Sequence, residues 1–331
     1  MTAGAFEFSC TTIPSRQPAE LRDLALAATR LGYDRFWVPD QELYADPFLL
    51  LNDIAAATPI HLGLALTNPF SRHPVQIARA MASLVHLDRR NPAQRSWVLG
   101  LGMGNVNLVL NPLGLGAGAT TSRLVASISL VRALLAGETV QPAPDAFVHT
   151  ALSLDIEPAD CRIYLGTRGP KTLAAGGRVA DGILAEALFR PELVRWTRQQ
   201  AGLLPGDRHV SWQTVVILRP GEAIPEAVRH FAAMLIRTTA PAVLELMGVS
   251  DRARTRARER RLTPQDVTDD DVRRFVACGS TEEIAAMVMA AQDAGVTGWT
   301  AIFLGGAARI ADAMHEFAEG VIAPVRARST G

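Results

Sequence analysis

Ile163-Tyr164-Leu165-Gly166-Thr167-Arg168-Gly169-Pro170-Lys171 is a short buried strand that passes through glycines into a helix. Pro170 suits the first helical position, where the N–H that proline lacks has no intrahelical partner in any residue. A strand handed directly to a helix is half of a βα unit, and a chain of such units makes a parallel sheet covered by helices.

Reading outward from this junction, the same alternation recurs along the chain. On the N-terminal side, Phe6 to Cys10 reads as the first strand and Pro18 to Leu31 as a helix with Leu21, Leu24, Ala25 and Ala28 on one face. Arg35 to Val38, His61 to Leu66 and Trp97 to Leu101 read as strands, separated by helices from Pro47 to Thr58 and from Pro74 to His86. Arg123 to Ala136 is helical, and Val140 to Pro158 reads as an insertion with two weak strands. On the C-terminal side come the strand Gly182 to Ala185, a helix from Pro191, the strand Trp212 to Leu218 and a helical region from Pro225 to Leu246. A helix from Thr281 and the strand Thr300 to Leu304 complete eight units, which predicts a closed (β/α)8 TIM barrel. No linker divides the chain, so residues 1–331 read as a single domain with an insertion near 140–160 and an excursion near 248–278. Within the excursion, arginine-rich Asp251 to Arg261 and acidic Asp266 to Asp271 read as a solvated helix and turn, with a clamp on substrate or cofactor as the alternative.

Composition narrows the function. The formal net charge is zero and Lys171 is the only lysine among mostly arginine cations, which gives no case for nucleic acid or an anionic membrane. Small molecules and another subunit are the expected partners. Cys10, Cys161 and Cys278 are odd in number and lack metal-ligand spacing, as suits a reducing compartment; the cytoplasm is the expected location. Met1 to Cys10 lacks a basic n-region and carries Glu7, so it does not read as a signal peptide. No uncharged apolar run reaches membrane-spanning length.

In a barrel of this type the site lies on the loops at the C-terminal strand ends. Trp37-Val38-Pro39-Asp40-Gln41 brings a carboxylate and an amide to the mouth, with Asp40 an acid, an orienter or a turn cap. Ala65-Leu66-Thr67-Asn68-Pro69-Phe70-Ser71-Arg72-His73-Pro74 holds a polar cluster between two prolines; Thr67 and Asn68 are its candidates for cofactor contact, and His73 reads as a helix-entry residue. Gly100-Leu101-Gly102-Met103-Gly104-Asn105 is glycine-rich but continues into irregular chain, unlike a dinucleotide fingerprint, so close approach to a flat ring is the better use of its glycines. Around Thr167 to Lys171, free amides and Arg168 suit a phosphate, each charge gaining roughly 0.3 to 1 kcal/mol from the helix dipole; an ordinary βα turn is the alternative. No metal-ligand cluster and no nucleophile elbow is legible.

The segments Thr67 to Pro74 and Ile163 to Lys171 resemble signature segments of the luciferase-like superfamily, most nearly its methylenetetrahydromethanopterin reductase branch. Trp37 to Asp40 and the Gly102-Met103-Gly104 loop fall where that family has corresponding segments, so the resemblance runs from the first strand to the sixth. It implies a (β/α)8 barrel, often a homodimer, that binds coenzyme F420 or FMN at the C-terminal face and carries out hydride chemistry on a small substrate. It further implies a non-proline cis peptide near Ala65-Leu66, forming a bulge under the ring, and a phosphate held by Gly166, Thr167, Arg168, Gly169, Pro170 and Lys171. Ala65, Leu66, Thr67, Asn68, Gly102, Met103, Gly104 and Asn105 are the remaining cofactor contacts it implies. Two positions depart from the family: the deazaflavin-dependent sugar-phosphate dehydrogenases carry histidine where this chain has Gln41, and members often carry Asp or Glu at Asn105. The titratable groups left near the mouth are Asp40, Glu42, Tyr44 and Glu186, and Asp40, Gln41 and Glu186 are the candidate catalytic residues. The expected activity is hydride transfer between the deazaflavin C5 and an imine, iminium or conjugated alkene. An FMN-dependent monooxygenase of the same fold and a non-catalytic flavin- or ligand-binding barrel are the alternatives, and Gly248 to Cys278 is a candidate lid.

Overall fold

The computed structural model describes residues 6–13, 17–41, 43–89, 95–142, 147–186, 190–204, 208–218 and 224–330. Strands and helices alternate as β1 (Glu7–Thr12), α1 (Pro18–Arg30), β2 (Arg35–Val38), α2 (Pro47–Ala57), β3 (His61–Thr67), α3 (Pro74–Asp88) and β4 (Trp97–Gly102). After a π-helical turn at Val106–Leu110 follow α4 (Thr121–Leu135), β5 (Arg162–Gly166), α5 (Pro170–Gly176), β6 (Gly182–Glu186), α6 (Pro191–Gln200) and β7 (His209–Ile217). The C-terminal part contains α7 (Glu226–Thr238), α8 (Pro241–Leu246), α9 (Asp251–Arg258), α10 (Asp269–Val272) and β8 (Val276–Cys278). It ends with α11 (Thr281–Asp293), β9 (Gly298–Phe303), α12 (Ala307–Phe317) and α13 (Ala323–Thr330).

Local chemistry accounts for the helix starts. Proline occupies the first turn of α1, α2, α3, α5, α6 and α8, where its fixed φ is already helical. Asp46 caps α2 by accepting from Phe48 N at 2.9 Å, and Ser280 and Glu283 cap α11 reciprocally.

All strand pairings are parallel, and the circuit β1-β2-β3-β4-β5-β6-β7-β9 returns to β1. This is the closed barrel expected from the eight units. Strand alternation separates two apolar layers. Trp37, Val98, Tyr164 and Leu184 face the axis, whereas Phe8, Phe36, Leu99, Ile163, Ile183 and Trp212 belong to the larger cluster between sheet and helices. At the barrel floor Arg35, buried, donates to both carboxylate oxygens of Glu7 at 3.0 Å and to Leu62 O at 2.8 Å. Burial pushes the Glu7 carboxyl up, but the charge and hydrogen bonds of Arg35 outweigh it and hold Glu7 at about 2.

Four expectations need correction. Among the described residues, the two weak strands of Val140 to Pro158 reduce to one antiparallel bridge, Val140 to Leu152. The helical region Pro225 to Leu246 is two helices, broken where Pro241 forces the preceding residue out of the helical region. A ninth strand, β8, lies inside the 248–278 excursion and pairs with the upper end of β7, Val215 to Val276 and Ile217 to Cys278. The helices that ring the barrel pack in the order α1, α2, α3, α4, α5, α6, α11, and α12 closes back on α1; α7 packs instead on α9 and α10. The acidic Asp266 and Asp271 are buried rather than solvated, each closing a capping box.

Candidate active site

The mouth is built from the strand ends. The Ala65–Leu66 peptide bond is cis, where the family resemblance implies it. The Leu66 side chain runs inward across β4 and β5: a methyl placed on Gly166 would meet its Cδ1 at 2.1 Å, and one on Gly102 at 3.1 Å. Gly100 likewise faces Leu66 Cδ2. The space before these glycines is therefore taken by the Leu66 side chain. They admit the side chain on which a ring would rest. Gly104, at φ +68°, leaves room for Asn68, whose Cγ would lie 2.9 Å from an added Cβ. Asn68 is buried and turns the chain by accepting from Phe70 N at 3.0 Å and Ser71 N at 2.8 Å.

Thr67, the buried last residue of β3, donates its hydroxyl to Asp40 Oδ2 at 2.6 Å. Burial pushes the Asp40 carboxyl up; the Thr67 hydrogen bond and Arg72 pull it back, Asp46 adds to the rise, and the net direction is upward. Arg72 itself is paired with Asp46 at 2.6 Å and lies over the Phe48 ring at 4.8 Å. Gln41 is exposed, and its carbonyl accepts from Tyr44 N at 2.7 Å. Glu42 lies outside the described residues.

At the opposite wall, Gly169 begins α5 with no side-chain cap, and Pro170 follows at the first helical position. The N–H groups of Lys171 and Thr172 have no intrahelical acceptor. Thr167 Oγ1 accepts from Gly169 N at 3.1 Å, and Lys171 is exposed. Arg168 pairs with Glu186, the last residue of β6, and donates to Thr238 Oγ1 of α7 at 2.8 Å. The structure thus joins Arg168 and Glu186, read separately from the sequence, to each other. Met103 is half-buried on the main core, and the Asn105 carbonyl accepts from Val109 N and Leu110 N of the π-helical turn.

His73 is the helix-entry residue its sequence context indicates. Nδ1 accepts from Val75 N at 3.2 Å and Nε2 is 3.0 Å from Phe147 O, so both ring nitrogens are engaged. Two features of the mouth escaped the sequence reading. Thr11 donates to Trp37 O at 2.8 Å, and Gln213 of β7 is buried beside the mouth. The polar alternation His209, Ser211, Gln213 in a strand that is mostly apolar elsewhere is the signal that points to the second. Among the described residues no group of three or more His, Cys, Asp or Glu could hold a metal ion, and no helix is long and apolar enough to cross a membrane.

Comparison with known proteins places this geometry. The chain is 25% identical over 305 residues to 5,10-methylenetetrahydromethanopterin reductase of Methanolobus tindarius, covering 88% of this chain and 92% of that one. It is 34% identical over 191 residues to F420-dependent glucose-6-phosphate dehydrogenase of Nakamurella multipartita, covering 53% of this chain and 54% of that one. The structure of coenzyme F420 dependent tetrahydromethanopterin reductase from Methanopyrus kandleri superposes with a TM-score of 0.76 at 18% identity, covering 97% of this chain and 100% of that one, and shows the same fold. The family model described as luciferase-like monooxygenase matches residues 3–298. The chain belongs to the luciferase-like monooxygenase family.

Proposed function

We propose that this protein is a coenzyme F420-dependent oxidoreductase that moves a hydride between the deazaflavin and an electrophilic carbon of a small organic substrate, an imine, iminium or conjugated alkene. The observation that carries the reading is that the two resembling segments meet: the side chain of Leu66, the residue just before Thr67, is seated on Gly166 of the other segment. Similarity to a dehydrogenase named for F420 supports the choice of cofactor.

The residues fit such a group. Ala65, Leu66 and Met103 offer an apolar surface at the mouth, Thr67, Asn68 and Gly102 to Asn105 its rim, and the uncapped start of α5 from Gly166 to Lys171 a place for its phosphate. When bound, a reduced deazaflavin supplies a hydride from C5. Asp40, its carboxyl raised by burial, supplies or orients the proton that the substrate gains as the hydride arrives. Thr67 donates to Oδ2, so Oδ1 is the oxygen better able to carry the proton. Glu186 is the second candidate; its pairing with Arg168 suits it to orienting. Gln41 can hydrogen-bond a ligand but carries no transferable charge at neutral pH.

Titration of the purified protein with coenzyme F420 and, separately, with FMN, followed by fluorescence and heat, tests this. Tight binding of F420 with weak binding of FMN is the expected result. Preference for FMN redirects the assignment to oxygenation, and binding of neither leaves a non-catalytic barrel. Light scattering of the same sample tests the homodimer.

A further inference from the structure

From His209 to Gln213, β7 carries polar side chains at every second position, and the first two make contacts inside the barrel, although the buried Nε2 of His209 has no hydrogen-bond partner. The His209 ring stacks on Tyr164 at 5.3 Å, and Ser211 Oγ is 3.1 Å from Thr300 Oγ1. Trp212, between Ser211 and Gln213, belongs to the outer layer. Gln213 therefore faces the axis, in register with Glu186 of β6 and Thr300 of β9. Glu186 ends its strand, so this level lies at the mouth. Gln213 is 7% exposed, and its buried Nε2 has no hydrogen-bond partner.

A leucine or methionine would fill the same volume without the cost of desolvating an amide. The inward hydroxyls nearby, Thr11, Ser211 and Thr300, all have partners within the chain; the buried ring nitrogens of Trp37 and His209 are unpartnered as well, but those rings pack on Tyr164, whereas the carboxamide stands level with Glu186. In the strand circuit β7 stands four places from β3, the strand that carries Leu66. A ring resting on Leu66 leaves its other face, and the molecule that reacts there, toward Gln213.

We propose that the Gln213 carboxamide donates a hydrogen bond to the reacting molecule, at a carbonyl oxygen or imine nitrogen conjugated with or bonded to the carbon that takes the hydride. The inference rests on the F420 reading above and narrows its substrate class. A neutral enone or imine offers a lone pair to the amide, and negative charge grows on that atom as hydride adds to carbon, so the bond strengthens as the reaction proceeds. An iminium ion has no lone pair on nitrogen and gains nothing from the amide.

The test uses Gln213→Leu and Gln213→Met in the full chain. Removal of an unpartnered buried amide leaves both variants at least as resistant to heat as the parent, so altered binding does not report misfolding. Coenzyme F420 affinity is measured by fluorescence, then the binding of cyclohex-2-enone and of N-methylpyrrolinium to the F420-loaded protein by saturation-transfer NMR, with turnover of each by reduced F420 in parallel. The proposal expects F420 affinity within twofold of the parent, enone binding weakened about tenfold or more in both variants, and pyrrolinium binding unchanged. Unchanged enone binding, equal loss for both probes, or loss of F420 affinity overturns it, the last by assigning the amide to the cofactor. Loss of stability in both variants overturns it too, by showing that the amide serves the fold. A parent that binds F420 but no enone refutes the carbonyl class alone, whereas a parent that binds no F420 refutes the underlying reading and this inference with it.

Discussion

Thr67→Val replaces a hydroxyl by a methyl of nearly the same shape and deletes the 2.6 Å bond to Asp40. Hydrogen bonds to charged groups contribute about 1.5 to 3 kcal/mol and neutral ones about 0.5 to 1.5. Asp40 is only partly buried, so the low end of each range applies. The bond matters most when Asp40 is ionised, and its loss moves the Asp40 carboxyl further up. A carboxyl raised in the folded state contributes stability below the ordinary aspartate range and loses it as pH rises through the folded value. Removing Thr67 extends that loss. The expected penalty for Thr67→Val is therefore about 0.5 kcal/mol at acid pH, growing to about 1.5 kcal/mol once Asp40 is ionised. Urea unfolding at a series of pH values measures it, with Asp40→Asn and the double variant completing a cycle. A penalty independent of pH, or one that persists in full in the Asp40→Asn background, refutes the role given to Thr67.

Three further outcomes follow from the same structure. Gly166→Ala drives a methyl to within 2.1 Å of Leu66 Cδ1 and lowers stability by about 1 to 3 kcal/mol, and Leu66→Ala in the same chain recovers part of that loss in thermal unfolding. Glu7→Gln leaves Arg35 buried without a counter-charge and costs about 3 kcal/mol at neutral pH. Because Glu7 is held at about 2, the pair's contribution is complete above the ordinary carboxylate range and disappears as pH falls through that value, so the penalty shrinks in acid; chemical denaturation from pH 2 to 6 checks the sign. Arg168→Met frees the end of α7 from the β5 loop, and hydrogen exchange should accelerate in α7 while the barrel strands keep their protection.

The strands of the barrel were legible because they are short apolar runs, most of them followed by proline at a helix start, as at Leu165 to Pro170. β8 was not: three residues, Val276 to Cys278, are too few to show a period. The two C-terminal helices after β9 escaped for want of a motif to draw attention past Leu304. In the site, each glycine was visible and its use was not, because the side chains that need the room, Leu66 and Asn68, come from a different strand end far away in sequence. The pairing of Arg168 with Glu186, 18 positions apart, was hidden because it joins the ends of two neighbouring strands across a helix. Gln213 differed: its polar alternation was in plain view, but only the burial of its amide distinguishes it from a solvated face.

The pairing of β8 with the upper end of β7 has a bearing on how this scaffold can diverge. Ser211 to Val215 already pair with Gly298 to Ile302, so the wall is sealed without β8. The chain leaves the barrel at Ile217 and returns at Cys278, its register neighbour, about 5 Å away across the ladder. Everything between is a cassette with adjacent ends, which evolution or an engineer can lengthen, shorten or exchange while the frame below keeps its register.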